Sequence, residues 1–133
     1  MSKSNIAVEF SITGNIIPKE ISSILGMKPT KVVNSGEFRS SKLVSWVLGI
    51  AYTDTIELAL QLKKLIIDTE LVNKISELLH IQETYDVIMR LNVCININTS
   101  KPKEKPVIWI DPIVSSFVGA LGVYIDIDTY YDL

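Results

Sequence analysis

The plainest pattern in the chain lies at residues 85–98, where Val87, Met89, Leu91, Val93, Ile95 and Ile97 alternate with Asp86, Arg90, Asn92, Cys94, Asn96 and Asn98. Period-two alternation puts the two sets on opposite faces of a strand, so this segment predicts a long strand with one wet face, as antiparallel sheets permit. Residues 5–12 repeat the pattern with Ile6, Val8, Phe10 and Ile12 on one side. Residues 31–38 read as extended, ending at a turn near Gly36, and the apolar run Leu43–Tyr52 reads as a central strand. Val107–Ile110 is a candidate short strand, and Val123–Asp128 alternates with Val123, Ile125 and Ile127 on one side.

Helical spacing fills the gaps. Gly14-Asn15 predicts a turn; Pro18 suits a first helical position, Ile21, Ile24 and Leu25 form one face, and Gly26 ends that helix. Asp54 is placed to cap the next helix with Glu57 three residues on, followed by Ile56, Ala59, Leu62, Leu65 and Ile66 at helical spacing. A second helix, or a bent continuation, carries Leu71, Ile75, Leu78 and Leu79. Asp111-Pro112 is a cap followed by a first-position proline, and Ile113, Val114, Phe117, Val118 and Leu121 fit a helix that ends at Gly122. The order is strand, helix, strand, strand, helix pair, strand, helix, strand. It predicts an α+β domain: a mainly antiparallel sheet with helices on one face, on the split β-α-β (ferredoxin-like) plan, with an appended C-terminal helix and strand.

Length and composition narrow the class. The 133 residues amount to one domain, with residues 1–133 forming a single unit. Hydrophobic residues are 47%, charged residues 21%, and the formal charge is −2, which excludes a disordered tail and a polybasic nucleic-acid arm. The 20 isoleucines against 3 phenylalanines describe a stiff, β-branched core. The one cysteine leaves no intrachain disulfide, and the one histidine no two-histidine metal site. The longest apolar runs, 43–52 and 113–125, fall short of the ~18 residues a membrane span needs. Glu9 interrupts the N-terminal apolar stretch, so no signal peptide is expected, and the expected location is the cytoplasm. The stretch Thr99–Pro106, with two prolines and three lysines, reads as an exposed loop.

Several segments resemble one family: Phe10-Ser11-Ile12-Thr13-Gly14, Ile21–Thr30, Trp46-Val47-Leu48 and, most distinctively, Gly122-Val123-Tyr124-Ile125-Asp126-Ile127-Asp128-Thr129-Tyr130. Together they are similar to the bacterial domain-of-unknown-function family 4279. The resemblance implies a small bacterial cytosolic α+β domain and carries no assigned chemistry. Small bacterial proteins of this look often sit among toxin-neutralising proteins.

Candidate chemistry is sparse. Asp126 and Asp128 are two apart on a predicted strand and share a face with Tyr124; Tyr130, Tyr131 and Asp132 follow. Three readings stand open: the solvated face of an edge strand, a surface for a basic partner, or a carboxylate pair for Mg²⁺ or Ca²⁺. Arg90, Asn92, Asn96 and Asn98 form a ladder of guanidinium and amide groups, either solvent-exposed or available to a ligand. Cys94 sits four residues from Arg90, roughly 13 Å along a strand, too far for thiol activation, and reads as structural. His80 closes a predicted helix, where a cation suits the helix dipole. Trp46 and Trp109 read as core or rim aromatics, with no basic–aromatic strand of the kind that binds single-stranded nucleic acid. No phosphate loop or nucleophile elbow is present.

The expectation is a non-catalytic protein-binding module, the immunity type among its forms, using Tyr124, Asp126, Asp128 and Tyr130, with no catalytic residues, no cofactor, no nucleic acid and no membrane. The alternatives are a small-molecule or divalent-metal-binding domain, and a structural homodimer.

Overall fold

The structure, a computed structural model, describes residues 4–34, 43–53, 56–98 and 106–132. In chain order the elements are β1 (Asn5–Gly14), α1 (Pro18–Leu25), β2 (Lys31–Asn34), β3 (Val44–Thr53), α2 (Leu58–Leu62), α3 (Ile75–Thr84), β4 (Val87–Asn98), α4 (Pro112–Leu121) and β5 (Tyr124–Asp132). A π-helical turn, Lys63–Asp68, prolongs α2, and a 3₁₀ turn, Leu71–Lys74, leads into α3.

The strands form one sheet in the order β2-β3-β1-β4-β5. Three pairings are antiparallel (β2 with β3, β3 with β1, β1 with β4), and β4 with β5 is parallel. The domain is therefore α+β with a mixed, mainly antiparallel sheet. The parallel pair needs a crossover, which α4 supplies.

One alternating set of each central strand is buried: Ile6, Val8, Phe10 and Ile12 on β1, Trp46 and Leu48 on β3, Met89, Leu91, Val93 and Ile95 on β4. These belong to one cluster with Ile21 and Leu25 of α1, Leu58, Leu62, Leu65 and Ile66 of α2 and its extension, Leu78 and Ile81 of α3, and Val114, Phe117 and Leu121 of α4. Phe10 and Phe117 meet edge to face with centroids 5.9 Å apart, the arrangement aromatic quadrupoles favour.

Polar side chains pin helices to the sheet and to one another. Trp46 Nε1 donates to Ser22 Oγ at 3.0 Å, tying β3 to α1. Gln82 Nε2 donates to Leu121 O at 2.7 Å, tying α3 to the end of α4. The fully buried Gln61 donates from Nε2 to Ile6 O (2.6 Å) and Ala51 O (3.2 Å). It bridges β1 and β3 where their register shifts between Ile6 and Val8, and so satisfies carbonyls that the interrupted ladder leaves over.

The helix signals hold at both ends of α1 and α4. Pro18 and Pro112 open them, Asp111 Oδ1 accepts from Ile113 N at 2.8 Å, and Gly26 and Gly122 close them with φ of 64° and 63°. A side chain at either glycine would be strained in this left-handed conformation.

Other expectations are corrected by the structure or lie outside the described residues. Asp54 lies outside the described residues, and Glu57 is the residue that precedes α2, with no side-chain cap. Val107–Ile110 makes one isolated bridge, Glu57 to Val107, rather than a strand. His80 does not close its helix: α3 runs on to Thr84, whose Oγ1 donates to His80 O at 2.8 Å. Leu79 and Ile113, placed on buried helix faces, are exposed. On β5 only Val123, just before the strand, is buried; Ile125 and Ile127 are 37% and 47% exposed. Sequence alternation marks a side chain's face, but burial requires an element to cover that face. The loop at Thr99–Pro106 and the turn near Gly36 fall mainly outside the described residues.

Candidate functional site on the open face of the sheet

The strand residues of the other parity point away from the core, and the registers set them side by side. Ser11 on β1 stands between Val47 on β3 and Arg90 on β4; Thr13 stands between Ser45 and Ile88; Glu9 stands between Gly49 and Asn92. Farther out, Lys31 and Val33 of β2 pair with Val47 and Ser45, and Tyr124 and Asp126 of β5 pair with Arg90 and Asn92. All of these but Gly49 line an open groove of about 550 Å³.

The groove has a buried floor and charged walls. Ser11 and Val47, paired in register, are only 6% and 3% exposed. Thr13 Oγ1 and Ser45 Oγ share a hydrogen bond of 2.7 Å. On one wall Lys31 Nζ lies 2.8 Å from Glu9 Oε1. That pair reaches across β3 above Gly49, where an added Cβ would stand 3.1 Å from Glu9 Cγ. The bare glycine leaves the path for the Glu9 side chain. On the other wall Arg90 Nε lies 3.5 Å from Asp126 Oδ2.

The face continues past the groove. Cys94 pairs in register with Ala7 and Asp128, and Asn96 with Asn5 and Tyr130. Asn96 Nδ2 donates to Asn5 Oδ1 at 3.1 Å. Tyr52 of β3 lies close enough to interact with both Cys94 and Asn96. Burial pushes the Cys94 thiol above its ordinary value, and the carboxylates of Asp128 and Glu9 add to this against the opposing effects of Tyr52 and Lys31. A thiol so placed stays protonated near neutral pH, the reverse of an activated nucleophile. The Tyr52 hydroxyl is raised as well, by burial first and then by Cys94.

All four residues singled out from sequence, Tyr124, Asp126, Asp128 and Tyr130, lie on this one face of β5, and all four are exposed. The fold brings them beside Arg90, Asn92, Cys94 and Asn96, so two segments read separately in the sequence are one surface. Asn98 departs from the expected ladder: it is buried, and its N–H donates to Ser4 Oγ at 2.9 Å. His80 lies on α3, outside the groove lining. Trp46 is core, whereas Trp109 is half-exposed in the β4–α4 connection.

Sequence reasoning missed Glu9, Ser11, Thr13, Lys31 and Ser45. The polar parity of 9, 11 and 13 was visible beside the apolar 8, 10 and 12. That Lys31 and Ser45 join them depends on strand pairing. Among the described residues no group of three or more histidine, cysteine or carboxylate side chains is placed to hold a metal ion, and no helix is long and apolar enough to cross a membrane.

The molecule is thus an α+β domain with a mixed sheet and a polar, grooved open face. The chain matches the family described as Domain of unknown function (DUF4279) over residues 3–132 and belongs to that family. No curated protein and no solved structure matches it.

Proposed function

We propose that the chain is a non-catalytic binding module that recognises another protein through the open face of its sheet. The observation that carries this reading is the in-register union of the β4 and β5 polar segments, Arg90 beside Tyr124 and Asn92 beside Asp126, all solvent-accessible. Tyrosine and arginine are the residues enriched at interface hot spots, and carboxylates beside them suit a basic partner. The raised thiol of Cys94 supports a role without nucleophilic catalysis. On this reading the strand order is the split β-α-β arrangement, extended by α4 and β5, with the helices gathered on the core side so that the other face is left free. A bacterial, cytoplasmic protein of the immunity type fits the same reading.

The test is a tagged pull-down from the native cytosol with the wild-type chain beside Asp126→Ala/Asp128→Ala. A partner held by the first and lost by the still-folded second supports the module and its surface. A partner held equally by both removes this surface.

A second reading has its own observation. The 550 Å³ groove with hydroxyls of Ser11, Thr13 and Ser45 at its floor has the volume of a small-molecule site. A metabolite panel in a thermal-shift assay tests it; a ligand at 100 times its dissociation constant adds about 2.7 kcal/mol. No shift across the panel counts against it.

A further inference from the structure

We infer that the free edge of β5 receives an extended segment of the partner as a sixth strand, and that this segment alternates cationic with branched apolar side chains. The inference rests on the protein-binding reading above and names the mode of binding.

Among the described residues β5 ends the sheet, paired to β4 on one side only. Its nine residues run in continuous register with β4 from Arg90–Tyr124 to Asn98–Asp132, without a bulge. It contains no proline. The opposite edge, β2, is four residues long. Natural sheets protect long edges with prolines, bulges, covering elements or charges; among the described residues β5 has only charges, those of Asp126, Asp128 and Asp132.

Those charges select the occupant. In an antiparallel pair across a two-fold axis, residues directly opposite share a face. Pairing of two β5 strands centred on residue 126, 127 or 128 therefore sets Asp126 against Asp126, Asp126 against Asp128, or Asp128 against Asp128. Like charges directly opposite destabilise a strand pair, so in these central registers the edge repels a second copy. The same carboxylates, flanked on their face by Tyr124 and Tyr130, attract Lys or Arg by charge and by cation–π contact. On the other face Ile125 and Ile127 stand 37% and 47% exposed, and a branched apolar side chain opposite them would cover both. Main-chain hydrogen bonds along the edge would supply affinity and the two faces selectivity, the division of labour of strand addition.

The test uses fluorescein-labelled, amidated Lys-Val-Lys-Val-Lys-Val-Lys and its Glu-Val counterpart, titrated with the whole chain at low salt and read by anisotropy. Two further probes carry N-methyl groups on the valine amides or on the lysine amides, each blocking one edge of the peptide. The expected result is binding of the Lys-Val probe, none of the Glu-Val probe, and loss with one N-methyl series but not the other. Asp126→Asn/Asp128→Asn, checked for folding by circular dichroism, is expected to weaken the Lys-Val probe about tenfold. Equal binding by both N-methyl series would reveal charge attraction without strand addition and overturn the inference, as would no binding at all or an unaffected Asn variant. If the peptides fail while the pull-down partner depends on Asp126 and Asp128, the edge is rejected and the binding module stands; if both fail, both are rejected.

Discussion

Arg90 Nε and Asp126 Oδ2 lie 3.5 Å apart across the junction of β4 and β5, each side chain about half-exposed (42% and 52%). Exposed pairs of this kind contribute about 0.2–1 kcal/mol. A double-mutant cycle with Arg90→Gln and Asp126→Asn, followed by urea unfolding, is expected to give a coupling within that range. A coupling well above it would identify the pair as a structural bolt. A small one leaves both groups free to turn to a partner at little cost to the fold.

Gln61 has the opposite character. Its buried amide serves Ile6 O and Ala51 O at the register shift, and Gln61→Leu would leave those carbonyls short of a donor at similar side-chain volume. The expected loss is about 1–3 kcal/mol, seen as a lower urea midpoint with an unchanged slope. An unaffected midpoint would mean that the ladder satisfies both carbonyls by itself.

Gly14 ends β1 in register with Val87, the first residue of β4. An added Cβ there would lie 2.6 Å from Asp86 O and 2.9 Å from Val87 Cγ1. Because the nearer atom is backbone, Gly14→Ala is expected to displace the strand end and cost about 1–3 kcal/mol, measured by urea unfolding. Gly119→Ala, in α4 with open space at its Cβ, is the control; it is expected to stabilise by roughly 0.5–1 kcal/mol through helix propensity.

Cys94 and Tyr52 lower the stability of the folded chain as pH rises into the alkaline range. Burial raises both groups in the folded chain. A folded-state value above the unfolded one means that the folded chain holds its proton longer. The contribution is therefore fully present below the unfolded value, about 8.5 for cysteine and about 10 for tyrosine, and is lost as pH rises through the folded value. Urea midpoints are expected to fall above about pH 8.5, less steeply in Cys94→Ser. At pH 8 the native thiol is expected to react with Ellman's reagent more slowly than the urea-unfolded thiol; equal rates would contradict its partial burial.

Local rules account for most of the elements. The alternation of residues 87–98 predicts β4 because a strand's side chains alternate whatever it pairs with. Pro18, Gly26, Asp111, Pro112 and Gly122 act within one turn of their own backbone, so the ends of α1 and α4 were legible. Errors arose where covering mattered. Ile125 and Ile127 alternate like core residues, yet they lie on an edge strand whose apolar face is only partly packed. Leu79 and Ile113 have helical spacing but fall on the rims of their helices.

The candidate site divides the same way. That Tyr124, Asp126 and Asp128 share a face follows from strand periodicity, and so does the common face of Arg90, Asn92 and Cys94. Their meeting does not: it requires β5 to lie parallel to β4, a pairing between residues some 34 positions apart. Lys31 reaches Glu9 only because β3 separates β2 from β1 and has Gly49 beneath the contact. Sequence by itself determined the α+β class, the element order and the sidedness of β1, β4 and β5, since these depend on neighbours a few residues away. The tertiary structure alone decided which strand is an edge, which polar rows join into a groove and which apolar rows stay uncovered, because those depend on contacts between distant segments that no local pattern encodes.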